Sequence, residues 1–238
     1  MIRNDELAFL KRKTIKSIVK KVKGGAWIED LRIISFPRLF SYLDKTEIAL
    51  VKKFLELDPR TYGFKGKFFS IINSPKDIIV VKEQLYTFQQ ESKAISEQYL
   101  PRAVYNAYQK LNRAYKQETG GEILFNSGYR SPAYQVVVFL DYLKYHQFDF
   151  PKTAERIAFP GYSEHGAPER QALDFMTMQG IPSEKISIPF DKTKEYRWLQ
   201  KNAHKFGFYL SYPKNNENGI MYEPWHWHFE NPSTRRKN

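Results

Sequence analysis

Cysteine is absent from this chain of 238 residues. Its absence excludes disulfide bonds, thiol nucleophiles and thiolate metal sites. Any bound metal ion must therefore be held by histidine and carboxylate side chains, the ligand set of catalytic rather than structural zinc sites. Long apolar runs are missing as well, and none approaches the roughly 18 residues that a membrane-spanning helix needs. We therefore expect no membrane span.

The N-terminus also lacks an apolar segment of the type found in secretory signal peptides. Residues 1–7 lead directly into the lysine-rich segment 11–23, a pattern that predicts no Sec signal peptide. We therefore expect the protein to stay in the cytoplasm, or to leave the cell by lysis or another non-Sec route, or the sequence to be trimmed at this end.

Basic residues exceed acidic ones, and the formal net charge is +12. A basic surface favours polyanionic partners such as nucleic acid, anionic membranes or an anionic cell wall, although it also serves solubility alone. Hydrophobic residues make up 42% of the chain and aromatic residues 16%, which is enough for a sizeable core. Composition thus indicates a globular protein and leaves its partner open.

Apolar periodicity divides the chain into helices and short strands. The predicted helices cover residues 4–23, 45–57, 92–117, 132–146 and 192–206. The predicted strands cover residues 68–72, 78–81, 122–126, 171–176, 208–212 and 225–229. Mixed strands with segregated helices are typical of the α+β class. We expect a helix-rich N-terminal region at 1–90 and a catalytic core at 91–238.

Only five histidines are available as metal ligands. His146 and His204 fall on predicted helices, where we expect ordinary surface residues. His165 lies in a loop rich in glycine, serine and proline, which can aim its side chain. His226 and His228 point to one face of a predicted strand, so strand geometry alone allows either of them to bind a metal.

Two carboxylates accompany these histidines. Asp174 alternates with Leu173 and Phe175 along a predicted strand, so its side chain should point to the face opposite to theirs. If that face is buried, the ionised carboxylate needs a metal ion or strong donors such as an arginine. Glu223 precedes His226 by three residues and could approach water at a metal held there. Together with Arg130, these residues favour a zinc hydrolase site.

Three motifs, in this order along the chain, resemble those of the VanY-type D-alanyl-D-alanine carboxypeptidases. This family belongs to the LAS group of zinc peptidases, which also includes D,D-dipeptidases and phage endolysins. The motifs are Ser127-Gly128-Tyr129-Arg130, then Ser163-Glu164-His165 with the downstream Asp174, then Glu223-Pro224-Trp225-His226. The resemblance covers about residues 120–230 and implies a bacterial enzyme of the α+β class. It also implies a small antiparallel sheet that carries the metal, with helices packed around it.

The resemblance also implies roles for individual residues. The zinc ligands would be His165, Asp174 and His226. Glu223 would be the catalytic carboxylate, and Arg130 would stabilise negative charge on the substrate carbonyl. Ser163 and Gln135 would lie near the terminal carboxylate of the substrate. Apart from the resemblance, the strand geometry predicts that, if His226 is the ligand, His228 supports it or contacts the substrate.

The resemblance implies a substrate as well. It would be a peptidoglycan stem peptide or muropeptide ending in D-Ala-D-Ala. Water would attack the terminal peptide bond beside zinc, and Glu223 would transfer its proton to the leaving amine. The sequence departs from the family pattern at residues 166–173, where the segment between His165 and Asp174 is about two residues longer than usual. We expect a bulge that keeps both ligands and affects substrate preference.

Three other interpretations remain open. A peptidoglycan endopeptidase would use the same chemistry on a different bond. A basic nucleic-acid-binding protein would contact phosphates through its N-terminal helix and need no metal, but the sequence contains no recognisable nucleic-acid-binding motif. An inactive zinc-binding module would have no use for Glu223.

Overall fold

The structure is a computed structural model that describes residues 4–23, 30–71, 76–182 and 188–231, with side chains described from residue 11 onward. The chain forms two compact units that alternate along the sequence. The first comprises Met1–Ile72, Ser131–Ser163 and Asn216–Met221. The second comprises Asn73–Arg130, Glu164–Asn215 and Tyr222–Asn238.

Seven α-helices form within the described residues. They are α1 (Asn4–Lys23), α2 (Phe36–Phe40), α3 (Lys45–Leu55), α4 (Arg102–Thr119), α5 (Pro132–Tyr145), α6 (Phe150–Ala154) and α7 (Lys194–Asn202). The strands in the same residues are β1 (Ile78–Val81), β2 (Leu85–Phe88), β3 (Glu91–Ala94), β4 (Gln98–Pro101), β5 (Ile123–Ser127), β6 (Ala172–Thr177), β7 (Phe208–Leu210) and β8 (His226–Phe229). None of these helices combines the length and apolar character that crossing a membrane requires.

In the first unit, α1 packs against α3 and α5. Its apolar stripe is buried at Ile15, Ile18 and Val19, as the periodicity predicts. The sequence also predicts that Leu7 and Leu10 belong to this stripe, but their side chains lie outside the described part of the chain. The predicted end of the helix at Gly24-Gly25 lies outside the described residues. The basic helix is therefore docked through an apolar face, while its lysines line the outer side.

In the second unit, four antiparallel strands form one sheet in the order β5-β6-β8-β7. One face of this sheet packs against α4 and α7 in a single apolar cluster. That cluster includes Tyr108 and Leu111 of α4, Leu173 and Phe175 of β6, Leu199 of α7, and Trp227 and Phe229 of β8. Alternation then directs the intervening residues of β6 and β8 to the opposite face. The predicted α+β class is confirmed.

The predicted helix over 92–117 is wrong at its N-terminal end. Residues 91–94 pair with β2, and residues 98–101 pair with β1. The helix begins at Arg102, directly after Pro101, and ends at Gly120, whose φ of 74° is left-handed. Proline disfavours helical backbone in the residue before it, which explains why the helix cannot extend upstream.

The predicted strand over 68–72 is also wrong in its described part, residues 68–71. The backbone N–H groups of Phe69 and Ser70 both donate to the one carbonyl oxygen of Gly161, at 2.8 and 3.3 Å, instead of forming a ladder. β1 pairs with β4 instead. Apolar composition alone therefore did not decide strand pairing here. The predicted turn between these segments lies mostly outside the described residues.

Candidate metal centre

Strand pairing places two of the predicted ligands side by side. In the antiparallel ladder between β6 and β8, Asp174 stands directly opposite His226. Their neighbours Leu173 and Trp227 form the next pair and point into the core on the other face. The Oδ1 atom of Asp174 lies 3.0 Å from Nδ1 of His226. The alternation visible in the sequence thus puts a carboxylate and an imidazole on one face of the sheet.

The Ser-Gly-Tyr-Arg segment positions the third predicted ligand. Ser127, the last residue of β5, pairs with Asp174, and the chain then continues through Gly128. The Nδ1 atom of the buried His165 donates a hydrogen bond of 2.8 Å to the carbonyl oxygen of Gly128. A carbonyl can only accept, so the proton is on Nδ1. In the neutral ring this leaves the lone pair on Nε2.

The three side chains converge on one point. One ligand atom from each of His165, Asp174 and His226 lies within 4.8 Å of the others, a group that could hold a metal ion. Nε2 of His165 lies 3.3 Å from Oδ2 of Asp174, but it is buried and has no hydrogen-bond partner among the described residues. The two imidazole rings are perpendicular, with centroids 4.8 Å apart.

The charges of this group fit a cation. Burial lowers the pKa of His165 to about 4, helped by the positive charge of Arg130, so the ring is neutral. Burial alone would raise the pKa of Asp174, but the two histidines lower it far below its usual range. Burial would likewise lower the pKa of His226, yet its hydrogen bonds to Asp174 and Glu164 raise it to about 10. Without a metal, the proton on Nδ1 of His226 thus supplies the positive charge.

These observations fit a divalent metal ion. His165 has a buried nitrogen lone pair without a partner, and Asp174 is held ionised. A metal ion would take the place of the proton on Nδ1 of His226, because metal binding requires deprotonated ligands. Two imidazoles and one carboxylate form the three-residue set that catalytic zinc uses, with one position left for water or substrate.

A tight turn brings Glu223 to this group. The backbone N–H of His226 donates to the carbonyl oxygen of Glu223 at 3.1 Å. The indole N–H of Trp227 donates to the carbonyl oxygen of Pro224 at 2.9 Å, which fixes the turn from the side of the core. As a result, Oε2 of Glu223 lies 3.7 Å from Nδ1 of His226. Spacing in the sequence suggested this proximity, and the turn provides it.

Arg130 is held close to His165 by the backbone. Its N–H donates to the carbonyl oxygen of His165 at 3.0 Å. The Nε atom of its guanidinium is buried and has no hydrogen-bond partner among the described residues. A buried donor without a hydrogen-bond partner destabilises the folded protein. A hydrogen bond from this Nε atom to a ligand oxygen would offset that cost.

His226 and His228 are connected by a network of charged side chains that the sequence did not predict. Glu164 accepts from Nε2 of His226 at 3.0 Å and from Nε of Arg170 at 2.6 Å. Arg170 also donates to Oε1 of Glu230 at 2.7 Å, and this oxygen lies 3.1 Å from Nε2 of His228. Burial alone would raise the pKa of Glu164, but the hydrogen bond from His226 lowers it to about 2.

His228 therefore has protein groups at both ring nitrogens. Its Nδ1 atom lies 2.7 Å from Oγ of Ser211, and burial lowers its pKa to about 4. A role in supporting the site is consistent with these contacts, and a substrate contact of His228 stays a prediction. Glu230 has the same parity along the chain as His226 and His228, a pattern from which it could have been found.

Tyr212 is another residue that sequence reasoning missed. Its ring lies 4.7 Å from that of His226, centroid to centroid. Its carbonyl oxygen accepts the backbone N–H of Glu223 at 3.1 Å. Burial, and then the charges of Glu164 and Glu223, raise the pKa of its hydroxyl well above 10. Nothing in the local sequence marks Tyr212, because its proximity depends on the return of the chain from β7 to β8.

The two other predicted substrate residues belong to the first compact unit. Gln135 lies on α5, where its Nε2 atom donates to the carbonyl oxygen of Ala158 at 2.7 Å. Its Oε1 atom is buried and has no hydrogen-bond partner among the described residues. Ser163 is also buried. Their roles near a substrate stay predictions. The remaining predicted residues, His165, Asp174, His226, Glu223, Arg130 and His228, all belong to the second unit.

A protein-family comparison bears on this geometry. The family described as "VanY: D-alanyl-D-alanine carboxypeptidase" matches residues 97–232. The "Putative carboxypeptidase YodJ" of Bacillus subtilis (strain 168) is 30% identical over 174 residues, which cover 72% of this chain and 58% of that protein. The chain thus spans just over half the length of this relative.

Solved structures share the fold. The structure of the LdcB LD-carboxypeptidase is 28% identical, with a TM-score of 0.55, and the match covers 75% of this chain and 80% of that one. A mutant of the vancomycin resistance D,D-pentapeptidase VanY in complex with Zn(II) is 20% identical, with a TM-score of 0.50. The match covers 71% of this chain and 89% of that one.

Proposed function

Because this chain belongs to the VanY D-alanyl-D-alanine carboxypeptidase family, we propose that it is a zinc-dependent D,D-carboxypeptidase of the bacterial cell wall. It removes the terminal D-alanine from peptidoglycan stem peptides. The observation that carries this proposal is the convergence of His165, Asp174 and His226, whose ligand atoms lie within 4.8 Å of one another, beside the carboxylate of Glu223.

His165, Asp174 and His226 would hold the metal ion, and Glu223 would work beside them. The bound zinc would supply a Lewis acid that polarises the scissile carbonyl and acidifies water. Glu223 accepts the proton of the attacking water and delivers it to the nitrogen of the leaving D-alanine. Its Oε2 atom lies 3.7 Å from Nδ1 of His226. The C–N bond breaks, and the products are a shortened peptide and free D-alanine.

Arg130 stabilises the transition state. Negative charge develops on the carbonyl oxygen as water attacks, and a preorganised donor aimed at that charge is worth about 3–4 kcal/mol. The Nε atom of Arg130, which is buried and has no hydrogen-bond partner among the described residues, supports its proposed role as such a donor. Ser163 and Gln135 are proposed to contact the terminal carboxylate of the substrate, and His228 to contact the substrate or support His226.

The first test combines metal analysis with product analysis. The purified protein, equilibrated with zinc and dialysed, should contain about one zinc ion per chain. Incubated with a muropeptide pentapeptide, it should release a single alanine, seen by mass spectrometry. Release of larger fragments would support an endopeptidase instead. Zinc absent from the protein would contradict the proposal.

Glu223→Gln supplies the matched variant for this test. An amide keeps the shape of the side chain but cannot accept the proton, so turnover should fall by about 10²–10⁴-fold while zinc content stays unchanged. Glu217→Gln, in the loop just upstream, serves as a control that should keep wild-type turnover. Near-normal turnover by Glu223→Gln would show that the base is another group.

A second candidate is an L,D-carboxypeptidase, which would act on a tetrapeptide stem. It is favoured by the similarity to the LdcB LD-carboxypeptidase, at 28% identity and a TM-score of 0.55. The same residues would perform the same steps on a bond that follows an L-configured centre. Parallel assays with pentapeptide and tetrapeptide stems distinguish the two, since the preferred substrate is the one with the higher kcat/KM.

A further inference from the structure

The imidazole of His226 can bind a metal ion through one nitrogen only if the ring keeps one orientation and one tautomer. Its Nδ1 atom faces Asp174 at 3.0 Å, on the side of the proposed metal. Its Nε2 atom faces the opposite way, toward Oε2 of Glu164 at 3.0 Å. A carboxylate can only accept a hydrogen bond, so Glu164 requires a proton on Nε2 and leaves Nδ1 as the nitrogen that can ligate a metal.

Glu164 is itself held in place. It is 5% exposed, and a buried carboxylate needs donors at its oxygens. Nε2 of His226 serves one oxygen, and Nε of Arg170, 2.6 Å away, serves the other. Both oxygens are therefore engaged, and a rotation of Glu164 would break one of these bonds.

Arg170 also ties this carboxylate to β8. Its second nitrogen donates to Oε1 of Glu230 at 2.7 Å, one residue beyond the end of the strand. The same oxygen lies 3.1 Å from Nε2 of His228. The guanidinium thus bridges two carboxylates with a planar fork, a geometry that lysine cannot reproduce.

The position of Arg170 in the sequence is informative. It lies between His165 and Asp174, in the segment 166–173. The backbone N–H of Arg170 donates to the carbonyl oxygen of Ala167 at 3.3 Å, which closes a turn in that segment. This segment thus provides a cation at the rear of His226.

We infer that Glu164 and Arg170 are positioning residues that orient the imidazole of His226 for metal binding, an inference that rests on the proposed function. Neither residue is one of the proposed metal ligands, and both act through His226. Glu164 selects the nitrogen that faces the metal, and Arg170 fixes Glu164 against β8.

Zinc affinity and coordination geometry provide the test. The full chain is prepared as wild type, Glu164→Gln and Arg170→Met, and the zinc dissociation constant is measured by competition with a chromophoric chelator. Loss of such supporting contacts typically weakens metal binding by about 10–100-fold. We therefore expect the zinc dissociation constant to rise at least tenfold in both variants. The visible absorption spectrum of the cobalt(II)-substituted protein should change as well. Melting of the metal-free protein is recorded for each variant.

Arg102→Met is the matched control. Like Arg170, Arg102 makes two hydrogen bonds to carboxylate oxygens, but both go to Asp77, at 2.5 and 3.0 Å, on an exposed surface of the same unit. Its zinc dissociation constant should stay within twofold of the wild-type value. A merely structural role of Glu164 and Arg170 would lower the melting temperature of the metal-free protein without changing zinc affinity or the cobalt spectrum.

Several outcomes would overturn the inference. A zinc dissociation constant within twofold of the wild-type value in both variants would overturn it and would leave the proposed function intact. If Glu164→Gln does not fold, the same criterion applies to Arg170→Met alone. A wild-type protein that binds no zinc would overturn the inference and the proposed function together.

Discussion

The backbone of Arg130 is fixed by a hydrogen bond, while its side chain keeps a donor that has no partner among the described residues. Its N–H is tied to His165, while its Nε atom has no hydrogen-bond partner among the described residues. The sequence pointed to Arg130 through a family motif. It could not show that the guanidinium has a donor left for a ligand, because that depends on which acceptors the fold brings near.

Replacing Arg130 with Met should lower kcat by about 10²–10³-fold, because one donor to the developing oxyanion is lost. Zinc content should not change, since Arg130 is not a ligand. Steady-state kinetics on the pentapeptide stem, with metal analysis, measures both. Arg113→Met on the exposed side of α4 is the control. A raised KM with an unchanged kcat would mean that Arg130 binds the substrate without stabilising the transition state.

At the scale of elements, the register of β6 against β8 and the close approach of β4 to the Ser-Gly-Tyr-Arg segment place the proposed metal ligands. A Cβ added at Gly128 would lie 2.5 Å from the carbonyl oxygen of Tyr99. That oxygen also accepts the backbone N–H of Tyr129 at 2.6 Å. Only glycine fits at this point, and its carbonyl then holds His165. The motif thus needs its glycine as much as its arginine.

Gly128→Ala should destabilise the protein by about 1–3 kcal/mol, because the backbone must move to relieve the contact. Zinc binding should weaken too, since the carbonyl that orients His165 moves with it. Urea unfolding and chelator competition measure the two effects. Gly121→Ala, whose added Cβ would come no closer than 3.3 Å to a neighbour, is the control. Wild-type values in Gly128→Ala would contradict the steric argument.

The docking of α1 on α5 depends partly on charge. Asp141 of α5 accepts from Lys23 at 2.6 Å and lies 2.8 Å from Lys144. Burial alone would raise the pKa of Asp141, but these two lysines lower it below its usual value. A lowered pKa in the folded state stabilises the protein above the unfolded pKa of about 4. This contribution is lost as the pH falls through the folded value.

Asp141→Asn should therefore lower the free energy of unfolding at pH 7 by at most about 1 kcal/mol, the range of partly exposed ion pairs. The difference from wild type should shrink as the pH is lowered below about 4. Urea unfolding across this pH range checks the sign. Glu56→Gln, at an exposed carboxylate with no ion pair among the described residues, should show no such trend. A difference that grows in acid would refute the assignment.

At the scale of the whole molecule, the sequence and the packing divide the chain differently. The compact units alternate along the chain, and the family match over 97–232 contributes segments to both. The division into a helix-rich region at 1–90 and a core at 91–238 stays a prediction about role. The cellular location of the protein also stays a prediction.

Metal binding should stabilise the whole protein. At free zinc about 100 times the dissociation constant, linkage predicts about 2.7 kcal/mol, or about 5–10 °C in melting temperature for a chain of this size. A chelator should reverse the shift. His226→Ala, which lacks one ligand, should show neither zinc binding nor the shift. A melting temperature of the wild type that does not respond to zinc would contradict a folded-state metal site.

The sequence by itself determined the residue types and the faces they occupy. Alternation placed Asp174, His226 and His228 away from the apolar core, and the motifs named Glu223 and Arg130. Only the tertiary structure decided that residues 91–94 and 98–101 form strands, that Glu164 and Arg170 lie behind His226, and that Tyr212 packs on its ring. Side-chain periodicity is a local property that the chain carries in its order. Strand partners and ion pairs join residues far apart in sequence, and they are selected by competition among all the pairings that the folded chain allows.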